Sequence, residues 1–245
     1  MSYNSWPSGK LPKDWQRPEP EIIKEQGYDW KDPRDIIEIF ENKLAKFAGS
    51  KYAVVTDTCS NALFLSLQYR ISNNELKVGQ EIIIPCNTYV SVPMQIIHSG
   101  LKPVFRKVYW SGMYELINSN IFDSAARFTQ NMYIGDDSMQ TLSFQIKKRL
   151  PIGKGGAILT NSLDAYNWLK LASYDGRDLK TEYTSQQHVK IMGWHYYMTP
   201  EDAARGIILF DKLPLDNNDS MDSEHYTDLR KISVFNNYVD KDMNV

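Results

Sequence analysis

From Asp32 onward, short runs of β-branched and other apolar residues alternate with longer segments of helical periodicity. That alternation is the strongest constraint on the fold. Ile36, Ile37, Phe40, Leu44 and Phe47 recur at helical spacing. Asp32 is the expected cap, Pro33 suits the first helical position, and Gly49 is the expected stop. Tyr52 to Val55 reads as a buried strand, Thr56 to Ser60 as a turn, and Asn61 to Tyr69 as a helix. Glu81 to Ile84 is a second buried strand ended by Pro85. A helix follows to Ser99, and then a short strand from Pro103 to Phe105. Asn120 to Phe122, Gln140 to Phe144 and Ala157 to Thr160 are further strands, while residues 106–122 otherwise carry no clear signal. Helices are expected over Leu163 to Ser173, and from a Thr199 cap and Pro200 to about Lys212. Buried strands separated by helices imply an α/β sheet with mostly parallel strands.

Composition narrows the function classes. Of 245 residues, 42% are apolar and 24% charged, as in ordinary globular proteins. The 28 basic and 30 acidic residues give a net charge of −2, with no long block of one sign. A nucleic-acid or membrane-surface role therefore has no electrostatic support. Two cysteines, Cys59 and Cys86, make no disulfide framework, and reduced thiols in a cytoplasm are the simpler expectation. Residues 1–31 hold Pro7, Pro12, Pro18 and Pro20 with Trp6, Trp15 and Trp30. Proline density argues against regular structure there, and the tryptophans suggest an arm packed on a surface, such as a partner subunit's. The stretch PLDNNDSMDSEHYTD, residues 214–228, is turn-like and acidic.

Three pieces could carry chemistry. The turn Thr56–Ser60 offers free backbone amides and hydroxyls where a helix begins, a natural phosphate site, with Cys59 where a glycine would be expected. Asp123 follows Ile121 and Phe122 at the end of an expected strand. Such an acid caps a following helix or faces a ligand at the carboxyl edge of the sheet. Lys148 lies in a stretch, residues 143–157, between a strand and the Gly155-Gly156 turn that opens another strand. Solvated lysines on a surface hairpin are the plainer explanation, which leaves the flanking apolar strands unexplained as a pair.

Taken together, these pieces resemble the sugar-aminotransferase branch of the fold-type-I pyridoxal-phosphate enzymes, the DegT/DnrJ/EryC1/StrS family. The resemblance runs through Thr58-Cys59-Ser60-Asn61-Ala62-Leu63, Gln80-Glu81-Ile82-Ile83-Ile84-Pro85 and Thr88-Tyr89-Val90-Ser91. It continues through Gly100 to Phe105, Asp123-Ser124-Ala125, and Ser143-Phe144 with Lys148 followed by Gly155-Gly156. Asp175-Gly176-Arg177, Gly193 to Thr199 and Ala203-Ala204 with Gly206 complete it, so that it spans roughly residues 36–213 in the family's order. The register selects Lys148 over Lys147.

The resemblance implies a three-layer α/β/α large domain with a mostly parallel mixed sheet, over residues 32–213. An N-terminal arm (1–31) would precede it and a short remnant of the small C-terminal domain (214–245) would follow, that domain being largely missing. The implied cofactor is pyridoxal 5'-phosphate. Lys148 would attach to the cofactor aldehyde and shuttle a proton at the substrate carbon. Asp123 would pair with the pyridine nitrogen and Tyr89 would stack on the ring. Thr58, Cys59 and Ser60, with the Ser143 hydroxyl, would hold the phosphate. His195 stands where the family has an asparagine that reaches the phosphate across a dimer interface.

The implied reaction transfers an amino group, from glutamate as donor, to a nucleotide-linked keto-sugar, in a cytoplasmic homodimer. The dehydratase relatives replace the lysine by histidine, and Lys148 speaks against that branch. Departures from the family pattern are the short stretch between Phe105 and Asp123, Ala126 in place of a glutamine, His195 and Tyr197 in place of Asn-x-Arg, and Lys154 in place of an acid before Gly-Gly. They put substrate recognition in question and leave a non-catalytic binding or assembly subunit as the alternative.

Overall fold

The computed structural model of the protein describes residues 15–180 and 188–239. Among the described residues, six α-helices and seven strands follow one another as α1 (Glu19–Glu25), α2 (Asp35–Ala48), β1 (Tyr52–Thr56), α3 (Cys59–Ser72), β2 (Glu81–Pro85), α4 (Ser91–His98), β3 (Lys102–Arg106), β4 (Tyr114–Leu116), β5 (Ile121–Asp123), β6 (Met139–Ser143), β7 (Gly156–Thr160), α5 (Leu163–Ala172) and α6 (Pro200–Phe210). Strand order is β1-β7-β6-β5-β4, and β2 pairs with β3 beside it. An antiparallel bridge between Ile83 and Ile117 links β2 to the residue after β4. β1 and β6 both pair antiparallel with β7, β6 pairs parallel with β5, and β5 antiparallel with β4. Five of the seven strands therefore point one way, with β4 and β7 reversed.

Side chains alternate across a strand, so consecutive core residues separate onto opposite faces of the sheet. Val54 of β1 and Ile158 of β7 pack with α3 and α5 residues such as Leu65 and Leu169. Their neighbours Ala53, Val55, Ala157 and Leu159 pack with α2 and α6 residues such as Phe40 and Ile207. Two cores around one sheet make the expected α/β/α sandwich.

The differences from the sequence reading have local causes. Residues 19–25 are helical despite the prolines, because Pro18 is the N-cap of α1 and Pro20 lies in its first turn, where an amide would have no intrahelical acceptor. Ile23 is fully buried, and Arg17 bonds Asp202 at 2.6 Å, so this part of the arm packs on its own chain, against α6. Trp6 lies outside the described residues. α2 starts at Asp35 rather than after Asp32; the Asp32 carboxylate instead accepts from the Arg34 amide at 2.9 Å in the preceding turn. α3 starts two residues early, with Thr58 Oγ1 accepting from the Asn61 amide at 3.1 Å. α4 begins only at Ser91. β4 was not anticipated. Gly49 stops α2 at φ 84°, and Thr199 caps α6, both as expected.

One buried ion pair ties three elements together. The Glu41 carboxylate of α2 is 3% exposed, accepts from the Val55 amide of β1 at 3.0 Å, and meets Lys170 Nζ of α5 at 2.7 Å. Burial raises its pKa, against the opposing pull of Lys170. Glu41→Ala leaves a lysine and an amide without partners and should cost about 3 kcal/mol, read from the urea midpoint. Replacing both partners, as Glu41→Leu with Lys170→Met, should be milder than Glu41→Ala alone.

Candidate active site

The codirectional strands end on one edge, and the cavity lies there. Thr58, Cys59 and Ser60 follow β1, Thr88 and Tyr89 follow β2, Asp123 ends β5 and Ser143 ends β6; all of them line one cavity of roughly 430 Å³. β7 runs the other way, so its beginning, at Gly155 and Gly156, reaches the same edge. This is the edge at which open α/β sheets place ligands. Of the sequence-selected residues, Thr58, Cys59, Ser60, Tyr89, Asp123, Ser143 and Lys148 come together, and His195 does not.

Asp123 is 5% exposed, and no helix follows it, so its bond to the next residues holds a turn rather than capping a helix. Its Oδ1 accepts from the Ala125 amide at 2.8 Å, shaping the next turn, while the residue lines the cavity. Oδ2 accepts from the Tyr114 hydroxyl at 2.9 Å, and that hydroxyl lies 2.5 Å from Thr88 Oγ1. Burial raises the Asp123 pKa; the two hydrogen bonds and the Lys148 charge pull it back. Tyr114 is pushed well above the usual phenol range, first by burial and then by the Asp123 charge, so it is a firm donor to that carboxylate.

Lys148 stands on the connection between β6 and β7. The connection is closed by Phe144 N to Gly155 O at 3.0 Å and Gly153 N to Phe144 O at 3.1 Å. The hairpin reading was thus right about the backbone, and the Lys148 side chain also lines the cavity, with Nζ 3.9 Å from Met221 Sδ. Lys147 and Lys154 line it too; Lys154 is 3.5 Å from Asp57. Three lysines face one carboxylate, Asp123, among the described lining residues, so the cavity favours an anion.

At the start of α3, the Ser60 and Ser91 hydroxyls are 2.7 Å apart. Cys59 is held in its thiol form by burial and by the nearby Asp123 charge. The need for Gly156 is steric: a Cβ there would lie 2.5 Å from the Cys59 amide nitrogen, which only a shift of the turn could relieve.

His195 sits outside the cavity. Its ring is 65% exposed, and Nδ1 lies 2.8 Å from Asp175 Oδ2. Sequence reasoning missed Tyr114, Trp110, Met221 and Tyr226, all near or in the cavity. The first two fall in the unassigned stretch. The last two are large side chains in the acidic, turn-like segment, and that contrast was the available signal.

Comparison with known proteins agrees with this geometry. Residues 25–111 and 124–228 match the DegT/DnrJ/EryC1/StrS aminotransferase family. The spore coat polysaccharide biosynthesis protein SpsC of Bacillus subtilis (strain 168) is 36% identical over 84 residues, which are 34% of this chain and 20% of SpsC. A putative PLP-dependent aminotransferase from Bacillus cereus ATCC 10987 superposes with a TM-score of 0.62 at 19% identity, over 83% of this chain and 65% of that one. The Helicobacter pylori aminotransferase PseC, involved in pseudoaminic acid biosynthesis, gives 0.60 at 19%, over 83% and 64%. The E. coli GDP-4-keto-6-deoxy-D-mannose-3-dehydratase with bound hydrated PLP gives 0.60 at 17%, over 84% and 67%. The chain thus spans a fifth of the length of the curated relative and just under two thirds of the Bacillus cereus protein. At these identities the superpositions establish the fold, and the family match establishes pyridoxal 5'-phosphate as the cofactor class. The chain belongs to the DegT/DnrJ/EryC1/StrS aminotransferase family.

Proposed function

We propose that this protein transfers an amino group, with glutamate as donor, to a nucleotide-linked keto-sugar, using pyridoxal 5'-phosphate held on Lys148. The observation that carries the reading is the meeting of Lys148, Asp123 and the first turn of α3 in one cavity. The residues fit the group. A lysine amine suits its aldehyde, a buried carboxylate suits its ring nitrogen, and amides at a helix start suit its phosphate. The Gly156 cradle brings β7 against that turn with no room for a side chain. Bound there, the cofactor supplies an aldehyde for covalent attachment and a ring that withdraws electrons from the reacting carbon.

The protein's residues do the remaining work. Asp123, fixed by Tyr114 and the Ala125 amide, holds a proton on the ring nitrogen. Tyr89, 57% exposed at the cavity mouth, covers one ring face. Amides of Cys59 and Ser60, the Thr58 turn and the Ser143 hydroxyl receive the phosphate. Lys148 Nζ, when not bonded to the cofactor, would be the base that takes the proton from the donor carbon in one half-reaction and the acid that returns a proton to the sugar carbon receiving the amine in the other. Exposed His195 is available to a second copy, and a homodimer that shares it across subunits is part of this reading. A cytoplasmic setting is also part of it; among the described residues no helix is long and apolar enough to cross a membrane.

The test is borohydride reduction of cofactor-loaded protein followed by peptide mapping, with the absorbance followed as glutamate is added. Label on Lys148 and loss of the visible band on adding glutamate are expected. Label on Lys147 or Lys154 refutes the register. A protein that takes up no cofactor is instead a binding or assembly subunit.

A further inference from the structure

Residues 214–239, of which 214–228 read as turn-like in the sequence, fold back as a strap across the Lys148 side of the cavity. Its course is fixed at four points. Arg127 grips Asp219 with two parallel bonds of 2.8 Å, from Nε and Nη2. The Gly112 amide donates to Met221 O at 3.0 Å, and Gly112 carries no side chain that would strike the Asp219 carboxylate. Ser223 N donates to Trp110 O at 3.0 Å, and Leu229 N to Cys86 O at 2.8 Å. Asn87 then pins two aromatic residues at once: its carbonyl accepts from Trp110 Nε1 at 2.9 Å, and its side-chain amide donates to Tyr226 O at 2.8 Å. The two rings lie 5.6 Å apart, and the Tyr226 hydroxyl meets Met221 Sδ at 3.5 Å.

Trp110, Met221 and Tyr226 all line the cavity, and the strap brings no cation to it. The cations, Lys147, Lys148 and Lys154, come from the β6–β7 connection. The cavity therefore has one wall for anions and another of aromatic and thioether surface. A dicarboxylate donor such as glutamate finds its charge partners on the first. A saturated sugar ring presents a C–H face, which is apolar, and the second wall matches it. Because Asn87 and the Arg127–Asp219 grip hold that wall before any ligand arrives, little ordering cost attaches to its use.

We propose that Tyr226, flanked by Met221 and Trp110, is the surface on which the hexose ring of a nucleoside-diphosphate-linked sugar rests, so that the strap sets which sugar the site accepts. The inference rests on the reading given under Proposed function and names the sugar-facing residues of the same site.

The experiment measures binding of three non-reacting pairs to the cofactor-loaded protein: dTDP-glucose with dTDP, UDP-glucose with UDP, and GDP-mannose with GDP. In a pair that binds, Tyr226→Ala should weaken the sugar-bearing member about tenfold and leave the bare nucleotide unchanged. Tyr226→Phe, which keeps the ring, should bind like the wild type. Where alanine lowers the thermal midpoint, Tyr226→Leu supplies bulk without a ring and is read in the same way. Equal weakening of both members, no weakening of either, or no pair bound by the wild type overturns the proposal. Labelling of Lys148 and the glutamate half-reaction are read separately. If both succeed while the pairs show no discrimination, only this inference falls.

Discussion

Lys148→Ala should yield a folded protein with no borohydride-stable label, no visible absorbance from lysine-bound cofactor, and a transamination rate lower by at least roughly 10²–10⁴-fold, the usual contribution of a positioned proton-transfer group. The loss should exceed that figure, because the same amine is also the attachment point for the cofactor. The fold should survive. Lys148 lies on a connection closed by backbone bonds between Phe144, Gly153 and Gly155 and by its own amide to Gln145 O, none of which needs its side chain, whose Nζ lies 3.9 Å from Met221 Sδ. The controls are its neighbours. Lys147→Ala and Lys154→Ala remove cations from the same cavity and should retain the label, with weaker phosphate binding as the largest effect. If Lys148→Ala still takes the label, and Lys147→Ala or Lys154→Ala loses it, the attachment point is misassigned although the cavity is right.

The hairpin that carries Lys148 was legible because it depends on short-range spacing. Ser143, Lys148 and the Gly155-Gly156 pair belong to one hairpin, and local sequence fixes a hairpin's geometry. The same holds for the strands: β1, β2 and β7 are apolar on most positions because both faces of the sheet are covered, and such runs stand out. β4 did not. Tyr114-Glu115-Leu116 is three residues long and alternates buried, exposed, buried, a pattern too short to rise above chance. With β4 unseen, Tyr114 and its bond to Asp123 were unseen too. The strap was hidden for another reason. Its path is set by Arg127–Asp219 and by backbone bonds to Cys86, Trp110 and Gly112, contacts separated by about 90 to 140 residues, to which no sequence periodicity corresponds. Helix starts moved where side-chain capping decided them. Thr58 takes the cap of α3 because its hydroxyl reaches the Asn61 amide, whereas Asp32 spends its carboxylate on Arg34.

Asp123→Asn separates the role of the charge from the role of the shape. Asparagine keeps the size and one carbonyl oxygen, so the turn at Ala125 can still be held. Its amide can donate to Tyr114, whose hydroxyl can turn its own proton to Thr88. What disappears is the negative charge under the proposed ring nitrogen. Removing one partner of a buried ion pair costs about 3–5 kcal/mol, equivalent to roughly 10²–10⁴-fold in rate if the whole loss falls on the transition state. Without cofactor the balance runs the other way. Burial raises the Asp123 pKa in the folded protein, so ionising it there costs more than in the unfolded chain. A carboxyl group whose pKa is raised on folding favours the folded state while protonated, and that advantage is lost as pH rises through the folded value. At neutral pH the asparagine variant, neutral at every pH, should therefore be no less stable than the wild type when free of cofactor, and less stabilised than the wild type when cofactor is added. Thermal midpoints with and without pyridoxal 5'-phosphate, measured across the acid to neutral range, read both effects. Equal stabilisation of the two proteins by the cofactor, together with an undiminished glutamate half-reaction, would reduce Asp123 to the cap of the turn at Ala125.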